Sequence, residues 1–408
     1  MTRYERNIFI HLAMLFTTAI FASDAYLPSL PAMMHALHTN HHAARLTIGY
    51  YFLGFALSPL LLGPLSDRFG RRKVLLSGLT IGVCGSTLCV LANHITILII
   101  GRFVQGAGMA SGYSISRAVV GDSFKGKMLA RVSSHMGMLM SLVPAIAPTI
   151  GGYVESFFGW RANFILLLVL IAAVFLSVFK FLPETNLHLK PHAAHLKHML
   201  LNYGGLLINR RFILYPICSC FTFGAYMIFM TFSPFLFQTL LGFSPIQYGW
   251  LVFLISSGIF LGSFANSFLV KRHSPTKLML FGATVMSLCC LFMLITGLLG
   301  WLNTSLILIP MLIFLWGTRF IFSNGFAQSI RYVGHQKGIA AALFSAMQTG
   351  GSALAASVAS MLDLHTNNQV PMAAMVSTLS ITTLFLVYLF MPRTDSSYPN
   401  SDIEKQKN

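Results

Sequence analysis

Asp24 lies within a long apolar segment near the start of the chain, where a carboxyl group could take up and release a proton. The apolar run that precedes it, from Ile8 to Ala22, holds 15 residues. A helix of that length reaches about 22 Å at 1.5 Å per residue, which is too short for the ~30 Å hydrocarbon core of a bilayer. The helix must therefore continue through Asp24. Because burial disfavours the charged carboxylate, we predict that Asp24 is a proton carrier. A structural salt bridge with Arg102 and a position at the outer mouth are the alternatives.

Arg102 is a charged residue inside another apolar segment, which reads Arg102-Phe103-Val104-Gln105-Gly106-Ala107-Gly108. A guanidinium at membrane depth is costly and normally faces a polar interior or a partner. We predict that Arg102 acts in proton coupling with Asp24. A purely structural hydrogen-bonding role is the alternative.

A short loop between two apolar segments combines an acid, glycines and a basic cluster, in the run Gly63-Pro64-Leu65-Ser66-Asp67-Arg68-Phe69-Gly70-Arg71-Arg72-Lys73. Glycine permits a tight turn, and Asp67 can meet a helix N-terminus or an arginine of the opposite half of the chain. We predict that a cytoplasmic gate is formed by Gly63, Asp67, Gly70, Arg71 and Asp122.

One segment is rich in proline and paired glycine, which bend a helix and let a neighbour approach closely. The residues concerned are Pro144, Pro148, Gly151 and Gly152. Aromatic and methionine side chains on neighbouring segments could line an adaptable apolar pocket. We predict that the substrate cavity is lined by Asp24, Tyr26, Gln105, Met138 and Tyr226.

Two histidine clusters have spacings of three and four residues, which could place metal ligands on one helical face. The first comprises His35, His38, His41 and His42, and the second comprises His188, His192, His195 and His198. No carboxylate or cysteine accompanies either cluster, so we interpret them as solvated loop histidines. We predict no metal site and no cofactor, and we interpret the six cysteines as free thiols within apolar segments.

The elements that position these residues must be membrane-spanning helices. The chain has 408 residues, of which 55% are hydrophobic and only 9% charged, against about a quarter charged in soluble domains. Long apolar runs in a bilayer must be helical, because no water pairs with their backbone groups. We therefore predict an all-α membrane protein and no soluble enzyme. Its twelve helices are predicted at roughly 7–36, 44–64, 74–92, 96–120, 129–154, 161–183, 212–240, 246–270, 277–299, 303–326, 338–362 and 371–392.

Lysine and arginine concentrate in alternate connections, whereas Arg45 and Arg161 lie in the others. By the positive-inside rule both termini are cytoplasmic. The net charge of +17 then anchors loops at an anionic membrane face, and we predict no nucleic-acid partner.

The longest polar connection divides the chain almost in half. A weak repeat supports this division, since Gly63 and Asp67 match Gly262 and Asn266 in spacing. The predicted units are a first six-helix bundle at 1–183, a linker at 184–211, a second bundle at 212–392 and a tail at 393–408.

The loop from Gly63 to Lys73 and the Arg102–Gly108 run resemble two signatures of the major facilitator superfamily, and the proline-glycine segment resembles its antiporter signature. The run Asp24-Ala25-Tyr26-Leu27-Pro28-Ser29-Leu30-Pro31, with Arg117-Ala118 and Asp122, resembles the bicyclomycin/chloramphenicol-resistance group of drug:proton antiporters. The resemblance implies two pseudo-symmetric six-helix bundles in a bacterial inner membrane.

It further implies export of small hydrophobic drugs in exchange for protons, by alternating access. The alternative is a proton-coupled importer of a small nutrient, such as an organic acid, a nucleoside or an amino-acid derivative. Besides the substrate, the expected partner is the lipid bilayer. One chain is expected to contain a complete pathway, which favours a functional monomer.

Overall fold

The computed structural model describes residues 3–186, 189, 203–331, 333, 337–361 and 368–391. Within these residues, twelve helical segments are long and apolar enough to cross a membrane, which confirms the predicted all-α membrane fold. The second histidine cluster and the predicted tail at 393–408 lie outside the described residues, as does most of the predicted linker.

The helices are numbered here by span. The first half contains α1 Arg3–Asp24, α2 His41–Phe69, α3 Arg71–Val90, α4 Ile95–Ser123, α5 Gly126–Phe158 and α6 Trp160–Phe181. The second half contains α7 Arg210–Pro234, α8 Pro245–Leu269, α9 Pro275–Leu298, α10 Thr304–Arg331, α11 Lys337–Met361 and α12 Val370–Phe390. A short helix at 203–208 precedes α7, and its Tyr203 hydroxyl donates to the Leu60 carbonyl at 3.4 Å.

The first span is interrupted where the sequence predicts a continuous helix. The α1 helix ends at Asp24, a 3₁₀ turn covers Leu27–Ser29, and a second short helix runs over Leu30–Ala36. Pro28 and Pro31 explain the break, because proline has no N–H to donate and its ring disfavours the preceding helical turn. Asp24 is therefore the last residue of a helix inside the span.

The α2 helix continues past its predicted end at residue 64 and includes Asp67, even though Pro59 and Pro64 lie within it. It stops at Phe69 because Gly70 adopts a φ of 99°, a conformation that residues with a Cβ rarely adopt. The α3 helix begins at the next residue. The turn between the two spans thus consists of a single glycine.

The two halves meet along two pairs of helices. The α2 helix packs against α11, and α5 packs against α8, while α4 packs against α2 and α3 within the first half. The corresponding core of the second half is formed by α10 with α8 and α9. Large apolar side chains on the outer faces, such as Phe264 and Leu288, remain exposed, as expected where lipid is the solvent.

Candidate functional site

A cavity of about 590 Å³ lies between the two halves. Residues of α1, α2, α4 and α5 form one wall, and residues of α7, α8, α10 and α11 form the other. Its apolar lining includes the rings of Phe16, Phe52, Phe223 and Phe322. Its polar lining includes Ser23, Asp24, Arg117, Tyr226, Arg319 and Gln348. A largely apolar pocket with a few polar groups is typical of small-molecule sites.

Asp24 lines this cavity, although its side chain is buried with only 6% exposed. Among the described residues that line the cavity, it is the single acid. No nitrogen of Arg102 lies within 4 Å of its carboxylate, so the predicted alternative of a direct salt bridge is wrong in this conformation. A carboxylate at a helix end and in contact with the cavity is placed to exchange a proton with it.

Arg102 is fully buried and lies behind the cavity wall. Its guanidinium carbon sits 3.9 Å from the centre of the Tyr26 ring and 4.0 Å from that of Tyr51. It donates to the carbonyl oxygen of Ala22 at 3.0 Å and to the side chain of Gln105. The last carbonyl groups of a helix have no partner within the helix and carry partial negative charge. Arg102 supplies a hydrogen-bond donor to one of these carbonyl groups at the end of α1. It is a positioning residue next to Asp24.

Two residues predicted to line the cavity instead support Arg102. The Gln105 amide receives the Arg102 hydrogen bond and donates to Ser86 at 2.8 Å, deep in the packing of α3 and α4. The Tyr26 ring covers the guanidinium, and its hydroxyl lies 3.2 Å from the Thr47 hydroxyl. Neither residue lines the cavity in this structure, because the Gln105 amide pairs with Arg102 and Ser86 and the Tyr26 side chain packs against Arg102 and Thr47.

Met138 was predicted to line the cavity, but its side chain is 61% exposed on the outer face of α5. Met136 and Met140 line the cavity in its place. Successive residues of a helix turn by 100°, so Met138 lies on the opposite face from residues two positions away on each side. Tyr226, on α7, is placed in the cavity lining.

The proline-glycine segment of α5 positions the break in the first span. A Cβ on Gly151 would overlap the carbonyl oxygen of Ala25, and one on Gly152 would overlap that of Pro245 at the start of α8. Asn163 of α6 donates to the Gly151 carbonyl at 3.0 Å and to the Ser29 hydroxyl at 2.8 Å. Pro144 lines the cavity and Pro148 packs beside α8.

Three of the five predicted gate residues, Asp67, Arg71 and Asp122, form an ion-pair cluster at the end of α2. The Arg71 guanidinium contacts the Asp67 carboxylate at 2.6 Å and the Asp122 carboxylate of α4 at 2.9 Å. Asp67 was predicted to meet a helix N-terminus or an arginine of the opposite half, whereas its ion-pair partner lies in its own half. The single-glycine turn brings Arg71, the first residue of α3, back beside Asp67, so among the described residues Asp67 pairs with Arg71 rather than with an arginine of the second half. Gly63 lies within α2 with open space around its Cα.

Glu184 was not predicted as part of this cluster. Its carboxylate accepts from the backbone N–H groups of Arg71 at 2.9 Å and Arg72 at 3.1 Å, at the N-terminus of α3. An acid that neutralises the first turn of a helix is favourable there. Through these two hydrogen bonds, Glu184 connects the segment that follows α6 to the turn between α2 and α3. Its position three residues after the end of α6, at the start of the polar connection, was the available signal.

Arg319 of α10 is the other residue that the sequence analysis missed. It lines the cavity, its guanidinium lies 5.7 Å from the centre of the Phe322 ring, and its buried Nε has no hydrogen-bond partner among the described residues. The available signal was the repeat: Arg117 precedes Asp122 by five residues, and Arg319 precedes Asn324 by five. The Asn324 amide donates to Asn266 at 2.8 Å.

Comparisons with known proteins agree with this architecture. The family model described as Major Facilitator Superfamily matches residues 12–356 and 237–407. Multidrug resistance protein D of Escherichia coli (strain K12) is 29% identical over 363 residues, covering 87% of this chain and 89% of that protein. A bicyclomycin resistance protein homolog of Haemophilus influenzae is 27% identical over 350 residues, covering 85% of this chain and 87% of that protein.

The fold is also similar to that of solved structures. The crystal structure of a D-xylose-proton symporter superposes with a TM-score of 0.78 at 14% identity, covering 97% of this chain and 99% of that one. At that identity the likeness concerns the fold alone. The names of the relatives fit the bicyclomycin/chloramphenicol-resistance group that the sequence motifs resemble. The chain is a multi-pass membrane transporter and belongs to the major facilitator superfamily.

Proposed function

We propose that this transporter exports small hydrophobic drugs across a bacterial inner membrane in exchange for protons. The observation that carries the proposal is the position of Asp24, the single acid among the described residues of the cavity lining, at the broken end of α1. Relatives named for multidrug and bicyclomycin resistance support export of drugs. Protons are the proposed coupling ion, and no cofactor is required.

In the proposed alternating-access cycle, two features support an inward-facing assignment of this conformation. Hydrogen bonds between the halves join Gln238 to the Pro28 carbonyl at 3.0 Å, Thr149 to the Gly249 carbonyl at 3.0 Å and His42 to the Ser360 carbonyl at 2.9 Å. All of these lie near the ends of the spans opposite the basic loops. On the basic side, the cavity extends to Ser133 near the start of α5 and Phe344 near the start of α11.

The proposed sidedness places both termini and the basic loops in the cytoplasm, because lysine and arginine are retained there. One chain supplies both walls of the cavity, which supports a functional monomer. Rocking of the two bundles would open the contacts near Pro28 and Ser360 and close the cytoplasmic side.

The coupling step is competition at Asp24. Deprotonated Asp24 favours substrate uptake from the cytoplasm, and protonation from the outside favours substrate release. A ligand shifts the two states only through its different affinity for each of them, so proton and substrate must exclude one another at this residue. Arg102 fixes the carbonyl end of α1 and thereby the position of the carboxyl group.

Inverted membrane vesicles test the proposal. A panel of chemically diverse antibiotics is first screened for protection of a pump-depleted bacterium, and the protected compounds are then followed in vesicles with an imposed proton gradient. Inverted vesicles expose the cytoplasmic face to the medium, so a compound that the cell exports should accumulate inside them when a proton gradient is imposed. This accumulation should disappear in Asp24→Asn. Glu155→Gln is the matched control, because Glu155 is a buried acid of α5 outside the cavity lining. Gradient-driven movement of substrate out of the vesicles would instead identify an importer.

A further inference from the structure

The central cavity carries charges of both signs on opposite walls. Asp24 contributes a carboxylate from α1 in the first half, and Arg319 contributes a guanidinium from α10 in the second half. Tyr226 lines the same cavity from α7. Arg117 adds a second guanidinium from α4. Aromatic rings line the same cavity, so its lining matches a molecule that combines an apolar body with charged groups of both signs.

Arg319 has no counter-ion in the described part of the chain. Among the described residues, the ion pairs with aspartate join only Arg71, and the Arg319 guanidinium lies over the ring of Phe322, 5.7 Å from its centre. Its Nε is buried without a hydrogen-bond partner. A buried charge without a partner is costly, and an intramembrane arginine normally faces a partner or a functional pathway. A ligand anion in the cavity would supply that partner.

Arg117 differs from Arg319 in donating a hydrogen bond to a protein side chain and in being exposed. Its Nη2 donates to the Tyr113 hydroxyl at 2.6 Å, and its guanidinium carbon lies 4.4 Å from the centre of the Tyr113 ring. The two arginines hold corresponding places in the repeat, five residues before Asp122 and Asn324. Arg319, whose buried Nε has no hydrogen-bond partner among the described residues, is the anion anchor that we assign, and Arg117 adds positive charge to the same cavity lining.

We propose that the cavity binds amphoteric aromatic compounds, with the anionic group held by Arg319 and the cationic group held by Asp24. This inference rests on the proposed export function, which it deepens by naming a substrate class. An arginine matches a carboxylate with two parallel hydrogen bonds, and the aromatic lining accepts the apolar body. A proton on Asp24 removes the partner of the cationic group, so the same contact that binds the substrate also couples its release to proton uptake.

Equilibrium binding to the purified full chain in lipid nanodiscs tests this inference near neutral pH and without a proton gradient. The zwitterionic probe is 6-(aminomethyl)-2-naphthoic acid. Its carboxamide has only the cationic group, and its N-acetyl derivative has only the anionic group. A second set on a biphenyl body varies the spacing of the charges. In at least one set, the zwitterion should bind the wild type about ten-fold more tightly than the carboxamide, the scale expected for a charge-assisted hydrogen-bonded pair.

Variants of the protein test which side chain binds each charged group of the probe. Arg319→Gln should weaken binding of the zwitterion about ten-fold and leave the carboxamide unchanged, and Arg319→Lys should restore part of the loss. Asp24→Asn should weaken the carboxamide and leave the N-acetyl probe unweakened. Arg272→Gln is the matched control, because it removes one positive charge from an exposed loop.

The inference is overturned if neither zwitterion binds wild type more tightly than its carboxamide, a comparison that does not require any variant to fold. It is equally overturned if Arg319→Gln weakens all three probes alike. The binding experiment applies no proton gradient, so it is independent of transport. If binding is selective but proton-driven export is absent, the proposed export function is rejected and the proposed binding site is retained.

Discussion

The Arg102 guanidinium donates to the carbonyl oxygen of Ala22, two residues before Asp24, at 3.0 Å. This hydrogen bond joins a buried charge of α4 to the end of α1. It fixes the place where the first span breaks, because the carbonyls freed by the break need donors. The position of Asp24 thus depends on a residue that does not line the cavity.

Replacing Arg102 by lysine should abolish most transport although it keeps the positive charge. Lysine lacks the planar group that lies between the rings of Tyr26 and Tyr51, and it cannot reproduce the same set of hydrogen bonds. We expect at least a ten-fold loss of transport rate and a clearly lower melting temperature in detergent. Arg161→Lys at the outer end of α6 is the control, and equal losses in both variants would contradict the positioning role.

A side chain added at Gly151 should impair transport at normal expression. Its Cβ would overlap the Ala25 carbonyl oxygen at the break of the first span, so α1 and α5 would have to separate. We expect Gly151→Ala to lower the transport rate about ten-fold or more. Gly121→Ala provides the comparison, because no atom lies within 4 Å of a Cβ there. Wild-type rates in Gly151→Ala would show that the tight contact has no role in transport.

The fold can be predicted from the sequence because long, continuously apolar runs in a bilayer are stable as helices. The placement of Asp24 inside the first span can also be predicted, because the apolar run before it is too short to span alone. It does not establish which face of a helix meets the cavity. The α5 helix is apolar on most of its surface, so nothing in the sequence distinguishes Met138 from Met136 or Met140. Gln105 was misplaced for a different reason: its buried partner Ser86 lies on another helix, and such pairing is visible only in three dimensions.

The predicted sidedness can be checked by labelling. In a chain whose six natural cysteines are replaced, a new cysteine at Lys73 should react with an impermeant maleimide only after the cytoplasmic face is opened. A new cysteine at Asn93, between α3 and α4, should react in intact cells once the reagent has entered the periplasm. The opposite pattern would invert the topology and with it the proposed direction of transport.

Asp67→Asn should shift the balance between inward-facing and outward-facing states without blocking membrane insertion. The variant loses the 2.6 Å ion pair with Arg71, while the pair of Arg71 with Asp122 persists. Because both carboxylates are about one-third exposed, the pair contributes at most about 1 kcal/mol, which corresponds to about a five-fold change in population.

The shift can be read from a single cysteine introduced as Ser133→Cys in the cysteine-free chain, because Ser133 lines the cavity near its cytoplasmic end. The ion-pair cluster is present in the described conformation, which we propose faces inward, so its loss should slow labelling of this cysteine. Arg68→Gln, one residue away and without an ion pair among the described residues, should label at the wild-type rate. Full transport with unchanged labelling in Asp67→Asn would remove the cluster from the gate.

The mechanism depends most on Asp24→Asn, which should abolish proton-driven transport and leave binding of neutral substrates measurable. Asparagine has nearly the size of aspartate and resembles the protonated acid, so the packing at the end of α1 should survive. In the wild type, a substrate that requires the carboxylate competes with protons, so its affinity should fall as the pH is lowered. In Asp24→Asn the titrating group is gone, and affinity should be nearly independent of pH.

The same competition predicts that binding of a substrate that requires the carboxylate displaces protons from the wild type, and calorimetry in two buffers of different ionisation enthalpy can count them. Asp24→Asn should displace none, whereas Glu155→Gln should behave as the wild type, since Glu155 lies outside the cavity lining. If Asp24→Asn still concentrated substrate against its gradient with the proton gradient as the only driving force, the proton would have to travel through another group. His11, a buried histidine of α1 whose Nε2 has no hydrogen-bond partner among the described residues, would be the first residue to replace.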